Sequence, residues 1–273
     1  MTPDRARAAR ELLAFYLEAG VDALLGEAPV DRFAGSEPAP RTEPERIPVA
    51  RRQPHPSAAT GAGSTTVAAP PAPEAAVMAA RAAAKTAATL AELRAILDGF
   101  EGCALKGTAR QLVFADGNPQ ARVMFVGEAP GREEDLEGLP FVGRSGQLLD
   151  RMLAAIRLDR SSAYIANVIP WRPPGNRTPT PQETSICLPF TRRQVELADP
   201  DVLVCLGSPA AQALLEVKDG IMRTRGRWLA YHTGTREIRA IATFHPAYLL
   251  RQPLQKRLTW RDFLAIKQAL ASS

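Results

Sequence analysis

The spacing of apolar residues changes character three times along the 273 residues. Over residues 1–26, Leu12, Leu13, Phe15, Tyr16, Val21, Leu24 and Leu25 recur near helical spacing and predict one amphipathic helix. Residues 27–74 are rich in Pro, Ala, Gly, Ser and Thr and hold no sustained period. Such a stretch buries too little apolar surface to offset chain entropy, so a disordered linker with partial polyproline character is predicted. An Ala-rich helical pattern returns over 75–99 and stops near Gly99.

From residue 100 onward, short apolar runs alternate with helical patterns. Strands are predicted at 122–127, 163–168, 201–206 and 238–244, and helices at 144–157, 180–198, 207–217 and 256–271. Ser208-Pro209 is a start signal for the third of these helices. Continuously apolar strands separated by helices predict an α/β domain over 100–273, its parallel sheet covered on both faces. Residues 221–235 interrupt the alternation as a predicted hairpin.

Composition narrows the setting. Hydrophobic residues make up 45% of the chain, enough for a substantial core, yet no run of 18 apolar residues predicts a membrane-spanning helix. The N-terminal apolar residues are interrupted by acids, unlike a signal peptide. Cys103, Cys187 and Cys205 are far apart and odd in number, which argues against a disulfide framework and for a reducing cytoplasm. Charge is unevenly spread. Residues 1–99 hold 11 Lys/Arg against 12 Asp/Glu, whereas residues 221–273 hold 10 against 2. A basic C-terminal end suits a polyanion such as nucleic acid; a solvated basic face is the plainer reading.

Ligands of open α/β sheets bind beyond the carboxyl ends of the strands. After the first predicted strand comes Gly127-Glu128-Ala129-Pro130-Gly131, then Glu133, Glu134 and Asp135, then Pro140-Phe141. The second ends at Asn167, the third at Gly207-Ser208, and the fourth at His245-Pro246-Ala247-Tyr248. Each has a bland alternative: Glu128 a surface turn residue, Phe141 core, Asn167 a cap, His245 a structural histidine. Their convergence on one edge is more telling than any single member. Neither a dinucleotide-binding nor a P-loop fingerprint is present.

Four segments, "FADGNPQARVMFVGEAPGREEDLEGLPFVGRSGQLLDRML", "YIANVIPWRPPGNRTPTPQE", "CLPFTRRQVELADPDVLVCLG" and "TFHPAYLLR", resemble the family 4 uracil-DNA glycosylases in order and spacing over about 103–270. The resemblance implies a three-layer α/β/α fold around a four-stranded parallel sheet. It also implies hydrolysis of the N-glycosidic bond of uracil in DNA, within base-excision repair. By the same resemblance Phe141 stacks on the flipped base within a pocket that includes Gly127 and Ala129. Asn167 reads the pyrimidine edge, and His245 stabilises the leaving uracil at O2. Family 1 enzymes place a water-activating aspartate at the position of Ala129, so either Glu128 or Glu134 takes its place or the reaction leans on stabilising the leaving group. DNA contacts are implied for Arg177, Ser208, Tyr248, Leu249, Leu250 and Arg251, with Leu249 or Leu250 as an apolar wedge. Uracil-containing DNA is the expected partner of a monomer that is cytoplasmic and nucleoid-associated, and the N-terminal helix could tether a repair or replication protein.

The chain departs from the family at its [4Fe–4S] cluster, which needs four cysteines. Phe100 and Trp171 stand at two of the ligand positions, and only Cys103 and Cys187 remain at the others. The expectation is that no cluster forms and that these four side chains make a hydrophobic plug, with Cys205 a small buried hydrophobe. Two other readings are a non-catalytic uracil- or DNA-binding module, and a relative that captures uracil-DNA covalently. The retained Glu128, Phe141, Asn167 and His245 argue against the first. The uninterrupted "RPPGNRTPTPQE" argues against the second, which carries a basic insertion there.

Overall fold

The computed structural model describes residues 73–272, so the predicted helix at 1–26 and the predicted linker up to residue 72 lie outside the described residues. Six strands form one sheet: β1 (Asp116–Gly117), β2 (Val123–Gly127), β3 (Tyr164–Asn167), β4 (Val202–Leu206), β5 (Trp228–His232) and β6 (Glu237–Thr243). Their order is β1-β3-β2-β4-β6-β5. The middle four run parallel, and β1 and β5 pair antiparallel at the two edges. The four predicted strands are thus the centre of the sheet, and the expected four-stranded sheet is corrected to a mixed six-stranded one. Both additions escape a periodicity reading for a physical reason: β1 is two residues long, and β5 is an edge strand with most of its residues exposed.

Nine α-helices accompany the sheet among the described residues: α1 (Pro73–Thr86), α2 (Leu90–Gly99), α3 (Arg132–Glu137), α4 (Arg144–Ala155), α5 (Pro181–Ala198), α6 (Ser208–Leu215), α7 (Ile221–Thr224), α8 (Pro246–Arg251) and α9 (Lys256–Ala271). The helical pattern at 75–99 is two helices, because Thr89 starts a second one. Its hydroxyl accepts from the Glu92 N–H at 3.2 Å, and the Glu92 carboxylate accepts from the Ala88 N–H at 2.7 Å. This reciprocal cap breaks the run after α1. Thr180 and Glu183 open α5 in the same way, with Pro181 in the first turn. The predicted hairpin at 221–235 is also corrected. Residues 221–224 form α7, and the hairpin is β5–β6, closed where Thr233 N–H donates to Arg236 C=O at 2.9 Å.

Every residue of β2, β3 and β4 is buried, so alternation divides the core into two faces. Met124, Val126, Ala166, Leu203 and Cys205 join residues of α1, α2, α5 and α6. Val123, Phe125, Ile165, Val202 and Val204 meet Leu149 and Leu153 of α4 and Phe263 and Ile266 of α9. These are the three layers. The parallel strands deliver four chain segments to a single edge, where the predicted polar residues lie.

Candidate active site

A cleft of about 700 Å3 opens at that edge. Glu128 and Ala129 line it after β2, Asn167 at the end of β3, Ser208 at the start of α6, and His245 after β6. Phe141 enters from the loop between α3 and α4. The structure therefore brings together all the residues expected to hold the base. The turn after β2 is anchored to its neighbour strand, since the carbonyls of Gly127 and Glu128 accept from the N–H groups of Val168 and Ile169, both at 2.9 Å.

Gly127 has a steric reason to be glycine. A Cβ there would lie 2.5 Å from both Asn167 Oδ1 and the Phe141 ring, closer than packing allows. The Phe141 backbone sits in the left-handed region, at φ 55°, an unusual conformation for a bulky residue that persists only when its surroundings impose it. Three groups do so. Glu134 accepts from the N–H groups of Val142 and Gly143, each at 3.1 Å. Arg160 donates to the carbonyls of Pro140 and Phe141 and is itself held by Asp116 and Asp150. Gly146 lets α4 lie against the Phe141 backbone, where any Cβ would overlap the Phe141 carbonyl. Arg160 and Gly146 were not foreseen. No periodicity or motif marks Arg160, whose partners are 10 to 44 residues away in sequence.

Asn167 is 5% exposed, and its Oδ1 has no hydrogen-bond partner within the protein. A buried carbonyl oxygen left unpaired costs roughly 1–3 kcal/mol, so it is a group waiting for a donor. His245 caps α8, its Nδ1 accepting from the Ala247 N–H at 3.1 Å. That bond assigns the ring proton to Nε2. Burial, and then the nearby Arg251 charge, push the imidazole pKa down to about 4, so the ring is neutral at physiological pH. The Phe141 and His245 rings lie 5.5 Å apart.

The two candidate carboxylates differ sharply. Glu134 is buried and accepts three backbone N–H bonds, the third from Gly131 at 3.0 Å. Its lone pairs are committed to tying the Gly131 turn to the Phe141 loop. Glu128 lines the cleft, and burial raises its carboxyl pKa above the ordinary 4.5.

Four of the six residues expected to touch DNA, Ser208, Tyr248, Arg251 and Arg177, line the cleft, and Leu249 and Leu250 do not. Arg177 is already engaged by Glu183 through two bonds of 2.9 and 2.6 Å. Leu249 is 0% exposed, which argues against it as a wedge, whereas Leu250 is 37% exposed. A larger groove of about 970 Å3 runs between α1 and α5. Its Arg193 pairs with Glu196, its Arg192 pairs with Glu216, and no orphaned buried polar atom lines it.

The four cluster positions cluster elsewhere in the core. Trp171, 2% exposed, belongs to the same hydrophobic core as Cys103 and Cys187, and Phe100 packs edge-on against Phe190 at 5.0 Å. The Cys187 thiol donates to Cys103 Sγ at 3.8 Å. That bond lowers the Cys103 pKa, while the same bond and burial raise that of Cys187. Burial alone raises Cys205, which lies within β4. Two thiols and two large apolar rings do not fit a four-thiolate iron–sulfur cluster. No set of three or more His, Cys, Asp and Glu among the described residues is placed to hold a metal ion. Nor is any helix among them long and apolar enough to cross a membrane.

A family model described as "Uracil DNA glycosylase superfamily" matches residues 114–265. The type-4 uracil-DNA glycosylase of Archaeoglobus fulgidus is 43% identical over 168 residues, covering 60% of this chain and 84% of that protein. That of Thermotoga maritima is 43% identical over 150 residues, covering 55% and 77% respectively. That of Saccharolobus solfataricus is 35% identical over 175 residues, covering 62% and 81%.

Proposed function

This chain belongs to the type-4 uracil-DNA glycosylase family, and we propose that its cleft takes a uridine flipped out of DNA and hydrolyses the bond between uracil and deoxyribose. The products are free uracil and an abasic site, the opening step of base-excision repair. A base inside a duplex is out of reach, so it must be extruded at a cost of a few kcal/mol. The face of Phe141 offsets the lost stacking, at about 1–3 kcal/mol per base.

The observation that carries this reading is the unpaired, buried Oδ1 of Asn167 beside Phe141. The amide accepts from uracil N3–H through Oδ1 and donates to O4 through Nδ2. Cytosine presents an acceptor at N3 and a donor at C4, so both bonds fail, and a buried polar mismatch discriminates strongly. As the glycosidic bond breaks, the sugar becomes oxocarbenium-like and negative charge grows on the base. The neutral His245 donates Nε2–H to O2, where that charge accumulates, and it is preorganised by its cap on α8. Glu128 activates the water that completes hydrolysis and faces the cationic sugar. Glu134 is a positioning residue, and Ala129 contributes only shape. Leu250 fills the gap in the DNA, and Ser208, Tyr248 and Arg251 hold the backbone. Arg177 reaches a phosphate from its pair with Glu183.

No iron–sulfur cluster enters this scheme, and the apolar Phe100 and Trp171 support its absence. Incubation with a uracil-containing oligonucleotide tests the function. Free uracil plus an alkali-labile site is expected; an unreacted strand, or an adduct surviving denaturation, would overturn it. Asn167→Asp should gain cytosine release relative to uracil release, because a protonated carboxyl can present its donor and acceptor the other way round.

A further inference from the structure

A smaller hollow, of about 210 Å3, lies on another face of α8. Tyr248 and Arg251 look into the uracil cleft, while Leu249 forms a wall of the hollow. Its floor is apolar, from Leu148 and Met152 of α4 and Phe263 of α9. Its rim carries Arg151, Lys256 and Trp260, and no acid lines it. Trp260 is 44% exposed, a large indole held in water. The basic character continues along the chain. Residues 251–271 hold five cations, Arg251, Lys256, Arg257, Arg261 and Lys267, against one acid, Asp262. Asp262 is buried and taken by Arg225, so it does not offset the charge of the exposed face.

An exposed aromatic beside cations, over an apolar floor, is how proteins hold unpaired bases: the ring stacks and the cations follow the phosphates. We infer that this hollow is a nucleobase subsite. It takes a base of the substrate DNA beyond the flipped uridine, stacked on Trp260, with the adjoining phosphates on Lys256 and Arg257. The inference rests on the glycosylase reading for the identity of the strand. It also gives a distance. A helix is about 10 Å across and a stacked strand advances ~3.4 Å per nucleotide, so the strand crosses α8 in about three nucleotides.

Two measurements test it. In a Trp228→Phe protein the remaining indoles are the buried Trp171 and Trp260. A uracil-free single-stranded oligonucleotide should quench its fluorescence, and the quench should vanish when Trp260→Phe is added. Trp260→Ala should raise KM at least about fivefold, the low end for one base–aromatic stack, on a substrate long enough to cross α8. It should leave kcat unchanged, and it should leave KM unchanged on a substrate ending beside the uridine. Trp260→Phe, which keeps an aromatic face, should retain the parent KM. Absence of quenching, or a parent-like KM for Trp260→Ala on the long substrate, overturns the subsite. Quenching without any uracil release would instead retire the glycosylase reading and leave the subsite standing.

Discussion

Two regions of this protein inherit polar positions from one family pattern and treat them in opposite ways. At the strand ends, Asn167 Oδ1 stays unpaired although buried, and Glu128 faces the cleft with a raised pKa. At the other four positions, Phe100 and Trp171 stand with Cys103 and Cys187, and the two free thiols hydrogen-bond to each other. The first region keeps the unfavourable arrangements that a ligand relieves. The second has relieved its own with packing. The side chains of the first region fit the family's chemistry, whereas two thiols and two apolar rings do not fit a four-thiolate cluster.

Mutation should separate the regions most widely at His245. His245→Ala removes the donor to O2, and single-turnover uracil release should fall about 10²–10³-fold. A smaller loss would move charge stabilisation elsewhere. Glu128→Gln should cost about a hundredfold, and its pH profile is the sharper readout. Burial raises the Glu128 pKa, so the carboxylate needed to accept a proton is lost on acidification at a pH above the ordinary 4.5. Parent activity should fall there and the variant should be flat. Neither profile should bend near 6.5, because His245, depressed to about 4, is already neutral on both sides of that value. An inflection near 6.5 that disappears in the His245 variant would sink the neutral-donor assignment.

Glu134→Gln replaces one of the two accepting oxygens with an NH2 that cannot accept from the backbone, and loss of that charge-assisted bond should lower activity at least about tenfold, with the acid limb of the profile unmoved. A lost limb there would exchange the roles of the two glutamates. In the other region, Trp171→Ala should cost about 3–5 kcal/mol of stability through the cavity it leaves. Calorimetry should show the drop while kcat of the folded fraction holds. The smallest effect expected is none: an iron chelator should change neither melting temperature nor activity, and stoichiometric iron and sulfide in the purified protein would overturn the plug.

The sheet's centre was legible because fully buried parallel strands read as unbroken apolar runs, as in Val123–Val126 and Val202–Leu206. Its edges were not. Two residues of β1 carry no period, and β5 is a short edge strand in which only Tyr231 is buried. The break between α1 and α2 was written in Thr89 and Glu92 but lies inside an Ala-rich run that masks it. In the site, the segments that follow the strands pointed to Asn167, Phe141 and His245 as neighbours at one edge, and all three line the cleft. The division of labour between Glu128 and Glu134 was not readable, because it depends on which backbone amides a folded loop turns inward. The same holds for Leu249 and Leu250, adjacent apolar residues that a helix sends to opposite environments.

The three amides gathered by Glu134 carry one more consequence. With Gly131, Val142 and Gly143 tied to a single carboxylate, and the Phe141 carbonyl held by Arg160, the loop that carries Phe141 is fixed by the protein itself, and the slot proposed for the base needs no assembly by its ligand. Binding therefore orders no loop, and the entropy that such ordering consumes is not withdrawn from affinity. The same slot receives the detached product. Free uracil should act as a simple competitive inhibitor, and the modest heat-capacity change of its binding should match the apolar area of one base rather than the folding of a segment.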